Sequence, residues 1–270
     1  MVRVPSKRSR GLLALLAVMA ITASACSSSS ITVAPAGSVG SSGSTGVTNS
    51  AVPTDQGGTN AAVVLSRAVP GLSDLTSYKF SMTLAGDPAT SVLTMLDETS
   101  STGSAPVTYG GTIIVKPENA ADLEVGGLHL IELGGYDYMD MGNTGAFLRT
   151  TVQSPSLVDA LSPAQMFSPM ISDSTASGYN RVGSETKNGI AADHYQASAT
   201  ALAEYGSIAG ISNVTWTADI WVATDGGYAV GIAIVAKAAD NSVAYEIVFD
   251  ISKVNDPGNK VTAPTNIMGA

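Results

Sequence analysis

Apolar residues recur along this chain in three rhythms. The first has period two. Between residues 78 and 84, Tyr78, Phe80, Met82 and Leu84 alternate with polar neighbours, the pattern of a strand with one buried face. It returns most clearly near the C-terminus, in VTWTADIWVAT (214–224), YAVGIAIVAK (228–237) and SVAYEIVFDIS (242–252). There Trp216, Ala218, Ile220 and Val222 share a face. So do Val230, Ile232, Ile234 and Ala236, and then Val243, Tyr245, Ile247, Phe249 and Ile251. Shorter strand-like runs fill the middle: TSVLTMLDE (90–98), then, after a loop at 99–107, TYGGTIIVK (108–116), NAADLEV (119–125), LHLIEL (128–133), YDYMDM (136–141) and AFLRTTV (146–152). Gly126-Gly127 and Gly134-Gly135 read as hairpin turns, as does Asn188-Gly189 between YNRVGSETK (179–187) and IAADHYQAS (190–198).

The second rhythm is helical. NAAVVLSRAV (60–69) reads as a helix halted at Pro70-Gly71, and TALAEYGSIAG (200–210) as a short helix ending on Gly210. In SPSLVDALSPAQMFSPM (154–170), Ser154 is the expected cap and Pro155 suits the first turn. Leu157, Val158 and Leu161 share a face, Pro163 ends the piece, and a second short helix follows. The reading is therefore an α+β fold: one long antiparallel sheet and three or four short helices. So few helices cannot cover a flat sheet of that size, so the sheet is expected to curve strongly around them.

The third rhythm is a continuous apolar run, Gly11–Ile21, preceded by Arg3, Lys7, Arg8 and Arg10 and followed by the small residues of Thr22–Ala25. A basic flank, a short apolar run and a small-residue cleavage site make an export signal. The run is too short to span a bilayer, which takes roughly 20 residues. ASAC then brings the chain's one cysteine, Cys26. It resembles a bacterial lipobox, in which the cysteine is lipidated and becomes the new N-terminus; Ala23 stands where leucine is usual. Residues 27–58 are Ser, Gly, Thr and Pro with little to bury, a flexible tether. The expected organisation is a lipoprotein signal peptide at 1–25, lipidated Cys26 and tether at 26–58, and one domain at 59–266. Two acyl chains on one cysteine give stable anchoring, on the outer face of the cell membrane.

Charge and composition narrow the function. The chain carries a net charge of −9, and its acidic residues all lie at or after Asp55. Loss of the four cations of residues 1–25 takes this to about −13, a charge that repels nucleic acid. With a single cysteine the chain can form no internal disulfide and no thiolate metal site. His129 and His194 stand without a metal-ligand partner at motif spacing, and no G-x-S-x-G elbow occurs. The reading is not an enzyme, with no cofactor. Asp97-Glu98 reads as solvated surface.

The order of elements resembles the LppX/LprAFG family of actinobacterial lipoproteins. GGYDYMDMG, SETKNGIAADHYQAS, ADIWVATDGGYAVGIAIVA and VTAPTN carry the local matches, and the resemblance covers roughly residues 60–266. Two departures are the break at Pro70-Gly71 and the long loop 99–107. The resemblance implies a half-open curved sheet, similar to that of the carrier LolA, with helices on its concave side and an apolar cavity for acyl chains between. It also implies movement of a lipid or lipoglycan through the cell envelope, with an envelope transporter as a further partner. Candidate lining residues are Ile113, Val115, Leu123, Tyr136, Tyr138, Leu161, Met166, Ile220, Ile232, Ile234 and Ile247. The same alternation equally describes a filled core, and it does not say which face is concave. The alternative readings are an interaction or chaperone module that grips an envelope protein or lipoprotein without lipid transfer, and a purely structural surface lipoprotein with a filled core.

Overall fold

The computed structural model describes residues 58–86, 88–89, 106–167, 171 and 176–268. Cys26, the signal, the tether, Asp97-Glu98 and the strand expected at 90–98 lie outside the described residues. Eleven strands form one sheet: β1 (Ser77–Gly86), β2 (Val107–Ile114), β3 (Ala120–Val125), β4 (Leu128–Leu133), β5 (Tyr136–Met141), β6 (Leu148–Thr151), β7 (Tyr179–Lys187), β8 (Ile190–Ala197), β9 (Val214–Ala223), β10 (Ala229–Ala238) and β11 (Val243–Ser252). The helices are α1 (Gly58–Ala68), α2 (Leu157–Leu161), α3 (Pro163–Phe167) and α4 (Ala199–Ala209), with a 3-10 turn at Pro70–Asp74.

The spatial order, β6-β5-β4-β3-β2-β1-β11-β10-β9-β8-β7, follows from two meanders. Short connections lead from β2 outward to β6, and in the other half short turns join β7 to β8 and β9 through β11, with α4 between β8 and β9. The two halves meet where β1 pairs antiparallel with β11, Met82 opposite Phe249. The first and last strands are therefore central, and β6 and β7 are the open edges. The link between those edges carries α2 and α3, so the path from β6 to β7 passes over a face of the sheet.

That face is fixed by register. Tyr109 faces Met82 across β1–β2 and Val125 across β2–β3, and Ile232 faces Phe249 and Ile220. All join one buried cluster with Leu65, Leu72, Leu161, Phe167, Ala201 and Tyr205 from the helical segments. Curvature needs close backbone approach, and Gly110-Gly111 on β2 supply it. A Cβ on Gly111 would stand 1.9 Å from the Asp122 carbonyl oxygen, and one on Gly110 2.4 Å from that of Phe80. Only glycine fits such contacts within a strand.

One helix detail corrects the sequence reading. The cap of α2 is Ser156, not Ser154: its hydroxyl accepts from the Asp159 amide at 2.9 Å, and the Asp159 carboxylate accepts from the Ser156 amide at 3.1 Å. This reciprocal box satisfies two orphan donors at once, which places Pro155 outside the helix. Pro163 follows the end of α2 and opens the second short helix, as the sequence predicts, because proline lacks only an amide that a helix start leaves unpaired. Elsewhere Gly210 closes α4 in the left-handed conformation, φ 66°, as expected.

The opposite, outer face has its own small core. Ile131, Tyr138 and Phe147 are buried there, with Leu133, Val261 and Ile267 packed against them. The last two come from the C-terminal tail.

Candidate functional site: the concave face and its helical cover

Strand alternation and register place most candidates on the concave face. Leu123, Ile220, Ile232 and Ile234 are fully buried, and Leu161 and Ile247 nearly so, in one cluster with Phe80, Met82 and Phe249. Ile113, Val115 and Met166 are partly buried against the same cluster.

Tyr136 and Tyr138 are placed differently. Leu130, on the concave face, pairs with Met139, and Ile131 pairs with Tyr138, so both tyrosines point outward. Tyr138 is buried beneath the tail, and Tyr136 is 39% exposed with the Arg149 guanidinium 5.0 Å from its ring. Apolar residues on both faces of LHLIEL hid this. The concave side of β5 carries Asp137 and Met139 instead.

Sequence reasoning missed the side chains that seat the helical cover. The Tyr109 hydroxyl, buried beneath α2 and α3, donates toward the sulfurs of Met82 (2.9 Å) and Met166 and lies 3.5 Å from the Leu161 carbonyl oxygen. Burial raises its pKa, so it stays protonated and serves as a donor. Phe167 of α3 is fully buried, its ring 5.3 Å from that of Phe249. On the other half of the face, the Tyr179 and Tyr205 hydroxyls meet at 2.9 Å. Trp216 lies between Tyr205 and Tyr245, at 6.5 and 5.2 Å. Trp221 points to the other face, stacked on His194 at 4.6 Å.

These contacts bear on the expected hollow. Over the described residues the concave face holds packed side chains from the helices, because α1, α2, α3 and α4 all contribute to the cluster that covers it. Two hollows bounded by described residues lie elsewhere. One, of about 570 Å³, is on the outer face beside Asp122, Glu124 and His129. The other, of about 700 Å³, is among the turn tips at Gly71–Leu75, Asn188–Ala191, Thr224–Tyr228 and Lys253–Asn255. The second reaches Ile190, Tyr228 and Val254, which pack against the main cluster.

Charge on the concave side gathers at one end. Glu132, paired with Asp137 across β4–β5, shares the face of Leu130. Burial, then the Glu132 and Asp159 charges, raise the Asp137 pKa. Among the described residues, Glu132 Oε2 is the buried side-chain oxygen without a hydrogen-bond partner. On the outer face, His129 Nε2 lies 2.8 Å from Asp122 and His194 Nε2 lies 2.8 Å from Asp219. Among the described residues no group of three or more His, Cys, Asp or Glu is arranged to hold a metal ion. Nor is any described helix long and apolar enough to cross a membrane.

The chain is similar to the solved structure of the lipoprotein LppX of Mycobacterium tuberculosis: 14% identity over 74% of this chain and 97% of that one, TM-score 0.41. It is similar to LprF of Mycobacterium bovis at 10% identity, over 77% and 98% of the two chains, TM-score 0.42. The MucA/MucB complex of Pseudomonas aeruginosa contains a chain similar at 13% identity, over 72% and 56%, TM-score 0.31. The first two names are those of the family that the sequence pattern resembles. No family model matches this chain, nor does any curated protein.

Proposed function

We propose that this chain is an exported, lipid-anchored envelope protein that takes acyl chains on the concave face of its sheet and carries them without enzymatic chemistry. The observation that carries the reading is the cover. An apolar concave face lies under a link that joins the sheet's two open edges, and the helices of that link, α2 and α3, have five residues each. Helices so short have no stability of their own. They are held by what they bury: Leu161, Phe167 and the Tyr109–Met166 contact.

An acyl chain can replace those contacts at little net cost. It exchanges methylene against leucine, methionine and phenylalanine, all of similar polarity, and Met82, Met139 and Met166 repack easily. Water cannot take the same place: each exposed methylene costs ~0.8 kcal/mol, on the order of 20 kcal/mol for two long chains. Enclosure with near-neutral exchange is what a carrier needs. The export signal, Cys26 and the tether of the sequence reading supply the location.

Native mass spectrometry of the full chain purified from its own host tests the reading. Co-purifying mass that releases acyl chains on denaturation is expected, together with uptake of a monoacylglycerol, whose head is uncharged, by the stripped protein. A lipid-free protein that binds no monoacylglycerol sinks the reading. A lipid-free protein with a bound polypeptide would replace it with the interaction module.

A further inference from the structure

The C-terminal tail is tied to the domain at two distant places. At the centre of the sheet, the Asn255 side-chain oxygen accepts from the Thr76 amide (2.7 Å) and hydroxyl (2.9 Å), and the Asn255 amide donates to the Ser77 carbonyl (2.8 Å). Asn259 adds a bond to the Ser77 hydroxyl at 2.9 Å. At the far end, the Phe147 amide donates to the Asn266 carbonyl (2.9 Å), the Met268 amide to the Phe147 carbonyl (2.8 Å), and the Asn266 side chain to the Gly145 carbonyl (3.0 Å). Between these ties the tail crosses from the β1 side of the sheet to the β5–β6 side. Val261 and Ile267 pack onto Ile131, Tyr138 and Phe147.

What the far end holds is the least supported part of the sheet. β6 has four residues, all exposed, and among the described residues pairs with β5 alone. It leads directly into the cover: the Val152 amide donates to the Gly135 carbonyl (3.1 Å), Ser156 caps α2, and Leu161 of α2 is buried over Tyr109. Phe147 is thus joined to the tail on one side and to the β6–α2 link on the other.

We propose that residues 253–268 form a strap that fixes the β5–β6 edge and, through it, the seating of α2 and α3 on the concave face. Released, the strap frees β6, and the cover lifts from the side of that edge. As a gate for ligand the strap rests on the carrier reading; as a mechanical coupling across the sheet it does not.

Hydrogen exchange of the full chain compares wild type with a form ending at Lys260 and with the milder Ile267→Ala. Exchange at residues 144–152 and 157–167 is expected to rise by about tenfold or more while β9–β11 stay unchanged, the signature of a local opening unit. A rise confined to 144–152, or one spread equally over β9–β11, overturns the strap. Ile267→Ala keeps the test should the shortened form fail to fold. Monoacylglycerol uptake is measured on the same samples. Faster exchange at 157–167 with no uptake by any form upholds the strap and removes the carrier reading. Uptake with exchange confined to 144–152 does the reverse.

Discussion

The hydroxyl of Tyr109 on β2 donates to the sulfur of Met166 on α3. It ties the sheet to the segment that covers it through a soft acceptor that releases easily. Tyr109→Phe removes the donor and keeps the ring against Phe80, whose centroid lies 5.9 Å away. A typical net hydrogen bond contributes about 1 kcal/mol, which in a domain of this size lowers Tm by about 2–4 °C. Limited proteolysis should then cut first within 157–167, and monoacylglycerol uptake should quicken. An unchanged cleavage pattern would show that the hydroxyl does not seat the cover.

Phe167 is the cover's largest fully buried anchor. Phe167→Ala leaves a ring-sized space on Phe249 and should cost about 3–5 kcal/mol. An acyl chain can fill that space, so the variant should recover more of its Tm on addition of monoacylglycerol than wild type gains. Ligand at a hundredfold over its Kd stabilises by ~2.7 kcal/mol. Thermal melts with and without ligand read the difference. Equal ligand shifts in both proteins would mean that the chain binds away from α3.

Strand periodicity made most of the sheet legible. Ile220, Ile232, Ile234, Ile247 and Leu123 lie on the face that their alternation predicts, because one-sided burial fixes register and a slip by one residue would turn every side chain to water. Tyr136 and Tyr138 escaped for the same reason inverted: β4 is apolar on both faces, Leu128 and Leu130 inward, Ile131 and Leu133 outward. Ile131 and Tyr138 are buried there because residues some 130 positions after Ile131 return to cover them, and no local pattern carries such a contact. Tyr109, the seat of the cover, looked like one more strand aromatic. Its role comes from helices that the chain places over it some 50 residues on. The capping box at Ser156 and Asp159 was readable from spacing alone, but Ser154 and Pro155 offered a competing start.

Gly111 tests the origin of the curvature. A methyl group there would lie 1.9 Å from the Asp122 carbonyl oxygen, backbone that cannot step aside without parting β2 from β3. Gly111→Ala should therefore destabilise far more than an ordinary strand glycine replacement, and the variant should express poorly or melt many degrees lower. Circular dichroism of Gly111→Ala beside Gly183→Ala is the check, since a Cβ on Gly183 meets nothing within 4 Å. Similar Tm values for the two would remove close approach as the cause of bending.

Asp140 offers a pH test of the loop that precedes Phe147. Burial pushes its carboxyl up, but hydrogen bonds from the Thr144 hydroxyl (2.8 Å), the Thr144 amide (3.0 Å) and the Gly145 amide (2.6 Å), with the nearby His129, outweigh it and lower the pKa. A carboxyl with a depressed folded-state pKa contributes stability above its unfolded pKa and loses it as pH falls through the folded value. Asp140→Asn should melt below wild type at pH 7, and the gap should close in strong acid. A gap independent of pH would assign the loss to packing instead.

Asp137 carries the opposite sign. Burial, then the charges of Glu132 and Asp159, raise its pKa, so its ionisation opposes folding at neutral pH. The penalty is full above the folded pKa, fades as pH falls through it, and is gone below the unfolded value. Asp137→Asn, nearly the same shape without the charge, should raise Tm at pH 7 and bring no gain at pH 3. The acidic end of the concave face also stands beside α2, where Asp159 completes the capping box with Ser156. Repulsion between Asp137 and Asp159 pushes α2 away from β5, so the neutral variant should seat the cover more firmly and slow monoacylglycerol uptake. Faster uptake by Asp137→Asn, with Tm raised as expected, would show that the carboxylates act on the ligand rather than on the cover.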